Sequence, residues 1–316
     1  MRPWVAAVWA LAASAQTKPS FSSSTYLVVA PVTVVDKKGK PIEGLTRSDF
    51  VLLDNGQPRS FDADGYIPPI SLIIAVETHV NSAAALTKVR RIGPLITPLI
   101  TGERGSAAVI VYGEEAGVRQ EFTHDPELIE KAVAELKPDS SAGAMLDAAS
   151  LAVELFRKGP SDARRVLLIV GESKDLGSQT KLSDAVTALQ RENVLVYALT
   201  YSRFLSPWTV KHHEVPKSGP MNLLAMFAEI GRAAKEKTAE VLADASGGRS
   251  LGFLRNHGLE AALSAIGEEL QNQYLLSFSP ADTVDEYHHL EIRVPSRRDA
   301  KVRTRSGYWL MRGPRD

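Results

Sequence analysis

Short apolar runs alternate with amphipathic segments through the middle of the chain. The apolar runs are predicted to be buried strands: 71–76, 106–112, "RRVLLIVG" from Arg164 and "VLVYALTY" from Val194. The segments between them have the spacing of helices: 83–100, "DPELIEKAVAEL", 144–156, "KLSDAVTALQREN" and, after a loop, 222–245. Such alternation over about 200 residues predicts an α/β domain, a doubly wound, mostly parallel sheet of Rossmann-like type.

Strand-like runs without helices flank this middle part. The N-terminal side has the apolar run 28–35 and the hairpin "FVLLDNGQPRSF", whose Asn55 and Gly56 tolerate positive φ. The C-terminal side has "NQYLLSFSP", "YHHLEIRVP" and "AKVRTRSGYWL". The simplest architecture joins the strands of 26–68 and 272–312 in a small β-sandwich, with the domain 69–271 inserted between them. Two unrelated β appendages are the alternative.

The first residues resemble a secretory signal. "MRPWVAAVWALAASAQ" has Arg2, a short apolar run and an Ala13-Ser14-Ala15 cleavage pattern. We therefore predict a signal peptide at 1–15, a mobile polar leader at 16–25, and export to the periplasm, the cell surface or the exterior. The alternative is an apolar N-terminal helix of the fold itself.

Composition narrows the function classes. The 316 residues are 44% hydrophobic and 23% charged, which is enough for a sizeable core, and the formal net charge is zero. A nucleic-acid partner would call for a basic excess, which is missing. The chain has no cysteine, so disulfides, thiolate chemistry and cysteine-ligated metals are excluded. After the predicted signal, no apolar run is long enough to span a membrane.

Several separated segments resemble one protein family. They are "VDKKGKPIEGLTRSDFVLLDNGQPRSF", "VLADASGGRSLGF", "LEAALSAIGEELQNQYLLSFSPAD" and "VRTRSGYW". In order and spacing they are similar to the VWFA-related domain family of acidobacterial type, and the likeness covers roughly 25–310. The resemblance implies a von Willebrand factor A-like domain in the middle and a binding protein rather than an enzyme.

The resemblance also implies a metal-ion-dependent adhesion site. Its first loop reads Asp-x-Ser-x-Ser, a second loop adds Thr and a third adds Asp, a set of oxygen ligands that suits Mg²⁺ or Ca²⁺. This sequence departs from that pattern at each position that can be aligned. Glu77 stands for the first Asp, His79 and Asn81 for the two serines, Gly143 for the Thr, and Glu172 for the last Asp.

These departures leave three readings of the site open. Mg²⁺ needs near-ideal octahedral oxygen ligands, which a longer Glu77 and a bare Gly143 do not readily supply. A nitrogen ligand from His79 favours a transition metal, held together with Glu77 and Glu172. Without a metal, the edge is a polar surface on which the two glutamates repel each other or share a proton. No other cofactor is expected.

Three further features were weighed for chemistry. Ser178–Lys181 has the S-x-x-K spacing of serine acyl enzymes, but without its partner motifs a helix cap or loop role is favoured. The pairs His212-His213 and His288-His289 are read as loop and strand residues, with one of the second pair facing in and one out. In the long loop 203–220, Phe204 and Trp208 are candidate partner-binding residues, although burial against their own domain is the alternative.

The sequence as a whole predicts an exported, non-enzymatic binding or adhesion protein with a degenerate metal site. Its partner would be a protein or a cell-surface polymer. Two alternatives come from other classes: a structural envelope protein with no metal-dependent binding, and a hydrolase of unrecognised type.

Overall fold

The computed structural model describes residues 27–64, 67–201, 237–253, 256–280 and 287–310. These ranges contain fourteen strands, β1–β14, and seven α-helices, α1–α7. Within them, no helix combines the length and the hydropathy that crossing a bilayer requires.

A six-stranded sheet forms the centre of the molecule, in the order β10-β9-β8-β5-β6-β7. All neighbours are parallel except β6 and β7. The strands are β5 (Ile70–Glu77), β6 (Ser106–Tyr112), β7 (Ala116–Thr123), β8 (Arg164–Gly171), β9 (Leu195–Thr200) and β10 (Arg249–Gly252). The chain winds outward from β5 in one direction and from β8 in the other, which confirms the predicted doubly wound, mostly parallel sheet.

Helices cover both faces of this sheet. They are α1 (Ala83–Val89), α2 (Gly93–Ile96), α3 (Pro126–Ala134), α4 (Met145–Lys158), α5 (Leu182–Arg191), α6 (Thr238–Ser246) and α7 (Asn256–Gln271). Leu72, Ile74 and Val76 of β5 pack in one apolar core with α1, α2, α3 and α7. Ile73 and Ala75 face the opposite core, with α4, α5 and α6. Both faces of β5 are buried, which is why its residues Leu72 to Val76 form an unbroken apolar run.

The predicted helix at 83–100 is wrong in its continuity. The structure divides it into α1, α2 and a π-helical turn, Thr97–Thr101. Pro94 and Pro98 explain the breaks, because proline lacks the N–H that a helix interior needs and its ring clashes with the preceding turn. The helix predicted at 222–245 is described only from residue 237 on, and α6 ends at Gly247, whose φ of 89° closes the helix in the left-handed region.

Two elements were not predicted from the sequence. β10 is only four residues long, and its "RSLG" lacks a run of apolar residues. The helix α7 carries its apolar side chains Leu259, Leu263, Ile266 and Leu270 into the core beneath β5. Their spacing is helical, so this helix could have been predicted.

Strands from the two flanking regions mix in two four-stranded sheets. The orders are β13-β1-β11-β4 and β14-β12-β2-β3. The strands are β1 (Val28–Val35), β2 (Val51–Asp54), β3 (Gln57–Pro58), β4 (Asp62–Asp64), β11 (Tyr274–Phe278), β12 (Tyr287–Arg293), β13 (Lys301–Arg303) and β14 (Gly307–Trp309). Their pairs are antiparallel and share one apolar core. The domain boundaries remain predictions.

A buried carboxylate joins the two parts of the molecule. Glu269 of α7 is 2% exposed and lies 2.8 Å from Arg249 Nε of β10. It also pairs with Arg303 of β13 and accepts a hydrogen bond from the Tyr197 hydroxyl of β9 at 3.0 Å. Glu269 therefore links the central sheet to a strand of the first flanking sheet.

Candidate functional site

The strand order of the central sheet reverses between β5 and β8. β5 ends at Glu77 and β8 ends at Gly171, so Glu77 and Glu172 reach the same edge of the sheet. In open α/β sheets, ligands bind in the crevice at such an edge. We call this region, made of Glu77, Glu172 and the segment 140–143 beside them, the switch edge.

Backbone hydrogen bonds hold the segment 140–143 in place. The Val80 N–H donates to the Ser140 carbonyl at 2.7 Å. Gly143 and Leu176 exchange two backbone hydrogen bonds, at 3.0 and 2.9 Å. The segment therefore runs between the loop that follows β5 and the loop that follows β8.

The Glu77 carboxyl group lies at the centre of the switch edge. Its side chain is 2% exposed. Oε2 accepts a hydrogen bond from the backbone N–H of Glu172 at 2.8 Å and another from the hydroxyl of Tyr201, just after β9. Oε1 is buried and has no hydrogen-bond partner among the described residues. One carboxyl group thus ties the end of β5 to the ends of β8 and β9.

The same carboxyl group fills the space above Gly143. A Cβ atom built at Gly143 would lie 2.6 Å from Glu77 Oε1, closer than real Cβ atoms approach their neighbours. A threonine here, as the resemblance implies for the family, would collide with Glu77. The long side chain of Glu77 and the absence of a side chain at Gly143 therefore fit each other.

The surroundings of Glu77 favour its protonated form. Burial raises its pKa above the ordinary value, and the nearby charge of Glu172 acts in the same direction. The hydrogen bonds from Tyr201 and from the Glu172 N–H oppose this rise, as does the charge of His79. Burial and the Glu77 charge also raise the pKa of Tyr201, which keeps its hydroxyl protonated as a donor.

The remaining predicted ligands occupy less open positions than the sequence suggests. His79 is buried, and its backbone forms a parallel bridge with Ser140. Asn81 lies in the 3₁₀ turn Val80–Ser82, and its side chain is outside what the structure describes. Glu172 is half-buried beside Glu77.

These residues do not fit the ion that the resemblance implies. Mg²⁺ takes about six oxygen ligands at roughly 2.0–2.1 Å. Here Glu77 Oε2 already accepts two hydrogen bonds, Oε1 faces Gly143, and Gly143 supplies no ligand atom. Among the described residues, no group of three or more His, Asp or Glu side chains is placed to hold a metal. The metal assignments to Glu77, His79, Asn81 and Glu172 stay predictions.

Tyr201 is the site residue that the sequence analysis missed. It was included in the apolar run "VLVYALTY" and treated as part of a strand. The signal was available, since Tyr201 follows directly on β9, whose parallel partner β8 ends beside Glu77. The candidate partner-binding residues Phe204 and Trp208, with the loop 203–220 and His212-His213, lie outside the described residues.

The S-x-x-K motif has a capping role. Ser178 Oγ accepts hydrogen bonds from the N–H groups of Leu146 (2.9 Å) and Asp147 (3.1 Å), at the start of α4. Asp147 in turn accepts from the N–H groups of Gln179 and Thr180. Of the two roles favoured from the sequence, Ser178 has the loop role, because the N-cap of α5 is Lys181. The Ser178 hydroxyl caps α4 from that loop.

A second buried polar cluster lies in the flanking sheets. His288 faces inward and His289 is half-exposed, as predicted. His288 Nδ1 lies 2.9 Å from Asp54 Oδ1, with both side chains at most 2% exposed, and its ring stacks on Tyr308 at 5.0 Å. Arg59 reaches the other oxygen of Asp54 at 3.4 Å. This pairing could not be predicted from local sequence, because 234 positions separate Asp54 from His288.

Two exposed apolar side chains flank the switch edge. Val80 is 51% exposed and Leu176 is 37% exposed, on opposite sides of the segment 140–143. Exposed carboxylates lie next to them: Asp139, whose N–H donates to Thr78 O, and Glu114, which accepts from Ser141 Oγ. Exposed apolar and acidic side chains therefore lie around the segment 140–143, together with the exposed Lys174 of the loop after β8.

The order and direction of the six strands make the central domain von Willebrand factor A-like in fold. Its acidobacterial type stays a prediction. No family model matches the sequence, and no curated protein sequence matches it.

Solved structures of such domains resemble the chain at low identity. A von Willebrand factor type A protein from Catenulispora acidiphila is 13% identical over 79% of this chain, with a TM-score of 0.49. The match spans about half, 51%, of that protein. The conserved hypothetical protein BatB from Bacteroides thetaiotaomicron is 13% identical over 64% of this chain and 99% of its own, with a TM-score of 0.46. The fold class rests on the strand order rather than on these similarities.

Proposed function

We propose that this protein binds a macromolecular partner through the switch edge of its von Willebrand A-like domain, without turnover. The partner is a protein or a cell-surface polymer, and the place of action is outside the inner membrane. The N-terminal signal pattern supports export, and the topological position of the switch edge supports its use for binding.

One observation carries the proposal. Val80 and Leu176 are both exposed at an edge where loops from three strands meet, although most large apolar side chains among the described residues are buried. A contiguous exposed apolar patch rimmed by polar residues marks an interaction site, and we take Val80 and Leu176 to belong to one such patch. Asp139 and Glu114 at the rim favour a partner that brings basic groups, because opposite charges guide association and fix its orientation.

The test compares variants of this face with a matched control. Val80→Asp combined with Leu176→Asp puts two charges at the switch edge, whereas Val118→Asp alters an equally apolar exposed residue on β7, at another edge of the sheet. The full chain would be immobilised and exposed to solubilised proteins and to polysaccharides of the envelope of its native cells.

We expect a component that is retained by the parent chain and by Val118→Asp and is lost with the double variant. Retention by all three proteins would place binding elsewhere and overturn the proposal. The loop residue Trp208 provides the next variant in that case, since Trp208→Ala then separates a partner anchor from a stability role.

A further inference from the structure

We infer that the Glu77 carboxyl group replaces the metal ion of such sites as the group that holds the loops of the switch edge together, and that Gly143 is the residue that makes room for it. This inference rests on the proposed function only in taking the switch edge to be a binding surface. The role of Glu77 in holding the loops together concerns the folded chain and does not depend on a partner.

The contacts of Glu77 are those expected of an internal cross-link. Its Oε2 joins the loop after β8, through the Glu172 N–H, to the residue that follows β9, through the Tyr201 hydroxyl. Its Oε1 lies against Gly143, in the segment that precedes α4. Glu77 belongs to the first of the three loops in which the resemblance places metal ligands, and its carboxyl group contacts the other two.

Neither a shorter acid at position 77 nor a side chain at position 143 is compatible with the observed position of the Glu77 carboxyl group. An aspartate at position 77 would be one methylene too short to reach the same space. Any side chain at position 143 would require the carboxyl group to move, because Cβ alone comes within 2.6 Å of Oε1. Gly171 adds a second restriction, since a Cβ there would lie 2.1 Å from the Tyr112 hydroxyl and 3.1 Å from Glu77 Oε2. The pocket is shaped for the glutamate.

A double-mutant cycle tests this fit. We expect Gly143→Ala to lower the midpoint of thermal unfolding by roughly 5 °C, as overpacking of a buried site does. Glu77→Asp alone should also lower the midpoint, because it shortens the link. In the double variant, the shorter acid leaves room for the new methyl group, so its midpoint should lie above that of Gly143→Ala alone.

Gly117→Ala is the matched control. A Cβ at Gly117 would meet nothing within 4 Å, so this change should not lower the midpoint. If Gly143→Ala is as stable as Gly117→Ala, or if Glu77→Asp fails to relieve it, Glu77 does not fill the site and the inference is wrong.

A metal titration tests the replacement itself. Unfolding of the full chain would be followed with EDTA and then with Mg²⁺, Ca²⁺, Mn²⁺, Zn²⁺ and Ni²⁺ in turn. An ion present at about 100 times its dissociation constant should raise the midpoint by roughly 5 °C or more. We expect no shift with any of them. A shift that Glu77→Gln or His79→Ala abolishes would overturn the inference. The proposed binding function would survive that result, since its test measures partner retention.

Discussion

Replacing Glu269 should lower the free energy of unfolding, because its carboxylate links the central sheet to the flanking sheets. The carboxylate is buried between Arg249, Arg303 and Tyr197. Removing one partner of a buried ion pair costs about 3–5 kcal/mol, because the other charge stays behind. Here the side chains of Arg249 and Arg303 are 23% and 27% exposed, so each can turn towards water.

Two further features set the expected magnitude for Glu269→Ala. The Arg249 contact is an ion pair at 2.8 Å that lacks the alignment of a hydrogen bond, which lowers its contribution. The Tyr197 hydroxyl, in contrast, is fully buried and loses its acceptor, at a cost of about 1–3 kcal/mol. We therefore expect a loss of about 3 kcal/mol in the free energy of unfolding, at the lower end for a buried pair.

The assay is urea unfolding followed by two probes, far-ultraviolet circular dichroism and tryptophan fluorescence. The neighbouring Glu268, exposed on the same helix, provides the matched control, and Glu268→Ala should change the stability by less than about 0.5 kcal/mol. Tyr197→Phe removes only the hydrogen bond from the Tyr197 hydroxyl to Glu269 and should lower the free energy of unfolding by about 1 kcal/mol. If Glu269→Ala costs no more than Glu268→Ala, the buried carboxylate does not join the two parts and the reasoning fails.

Three further predictions concern other polar groups. Burial raises the pKa of Glu77 above its ordinary value of 4.5, so the folded form keeps a proton at pH values where the unfolded chain has released it. The stability of the parent therefore falls as pH rises above 4.5, whereas Glu77→Gln keeps the shape without this titration and should gain stability relative to the parent in urea titrations at increasing pH. Equal pH profiles would contradict this. Ser178→Ala should lower the free energy of unfolding by about 1 kcal/mol, because it removes the cap of α4. A reagent that acylates reactive serines should leave the parent chain unlabelled, and labelling at Ser178 would instead support the hydrolase hypothesis. His288→Ala removes one buried partner of Asp54 and should lower stability by about 3 kcal/mol in the same assay, whereas His289→Ala should be nearly neutral.

The central sheet was predictable because its elements are local. From Leu72 to Val76, β5 is apolar at every position because both faces are covered, and Asp125 with Pro126 marks the start of α3 in the sequence itself. The turn at Asn55 and Gly56 has the positive φ values, 49° and 78°, that its residue types suggest. Such features depend on neighbours only a few positions away, so the pattern of residues contains them.

The candidate site was only partly predictable because its contacts are distant in sequence. Polar residues at the end of β5 pointed to the switch edge, but the way in which Glu77 fits Gly143 depends on the orientation of side chains from separate loops. The pairings of Glu77 with Tyr201 and of Asp54 with His288 join positions 124 and 234 residues apart. Neither a local sequence pattern nor the composition predicts such a contact.

The mixing of strands from both ends also has a consequence for how the chain folds. In β1, Val28 stands opposite Phe278 of β11, so the first strand cannot complete its pairing with β11 until 250 further residues have been made (278 − 28), and its other partner β13 comes later still. At a synthesis rate of roughly 5–20 residues per second, that delay is about 12–50 s. During this interval β1 is an apolar, β-branched segment with unsatisfied backbone groups, which is the kind of segment that aggregates or recruits a chaperone.

The central domain can form first, since the strands of its sheet all come from one continuous stretch between β5 and β10. The slow and vulnerable step is then the closing of the flanking sheets, and refolding from denaturant should show a late phase that is absent from a chain lacking residues 27–64 and 272–310.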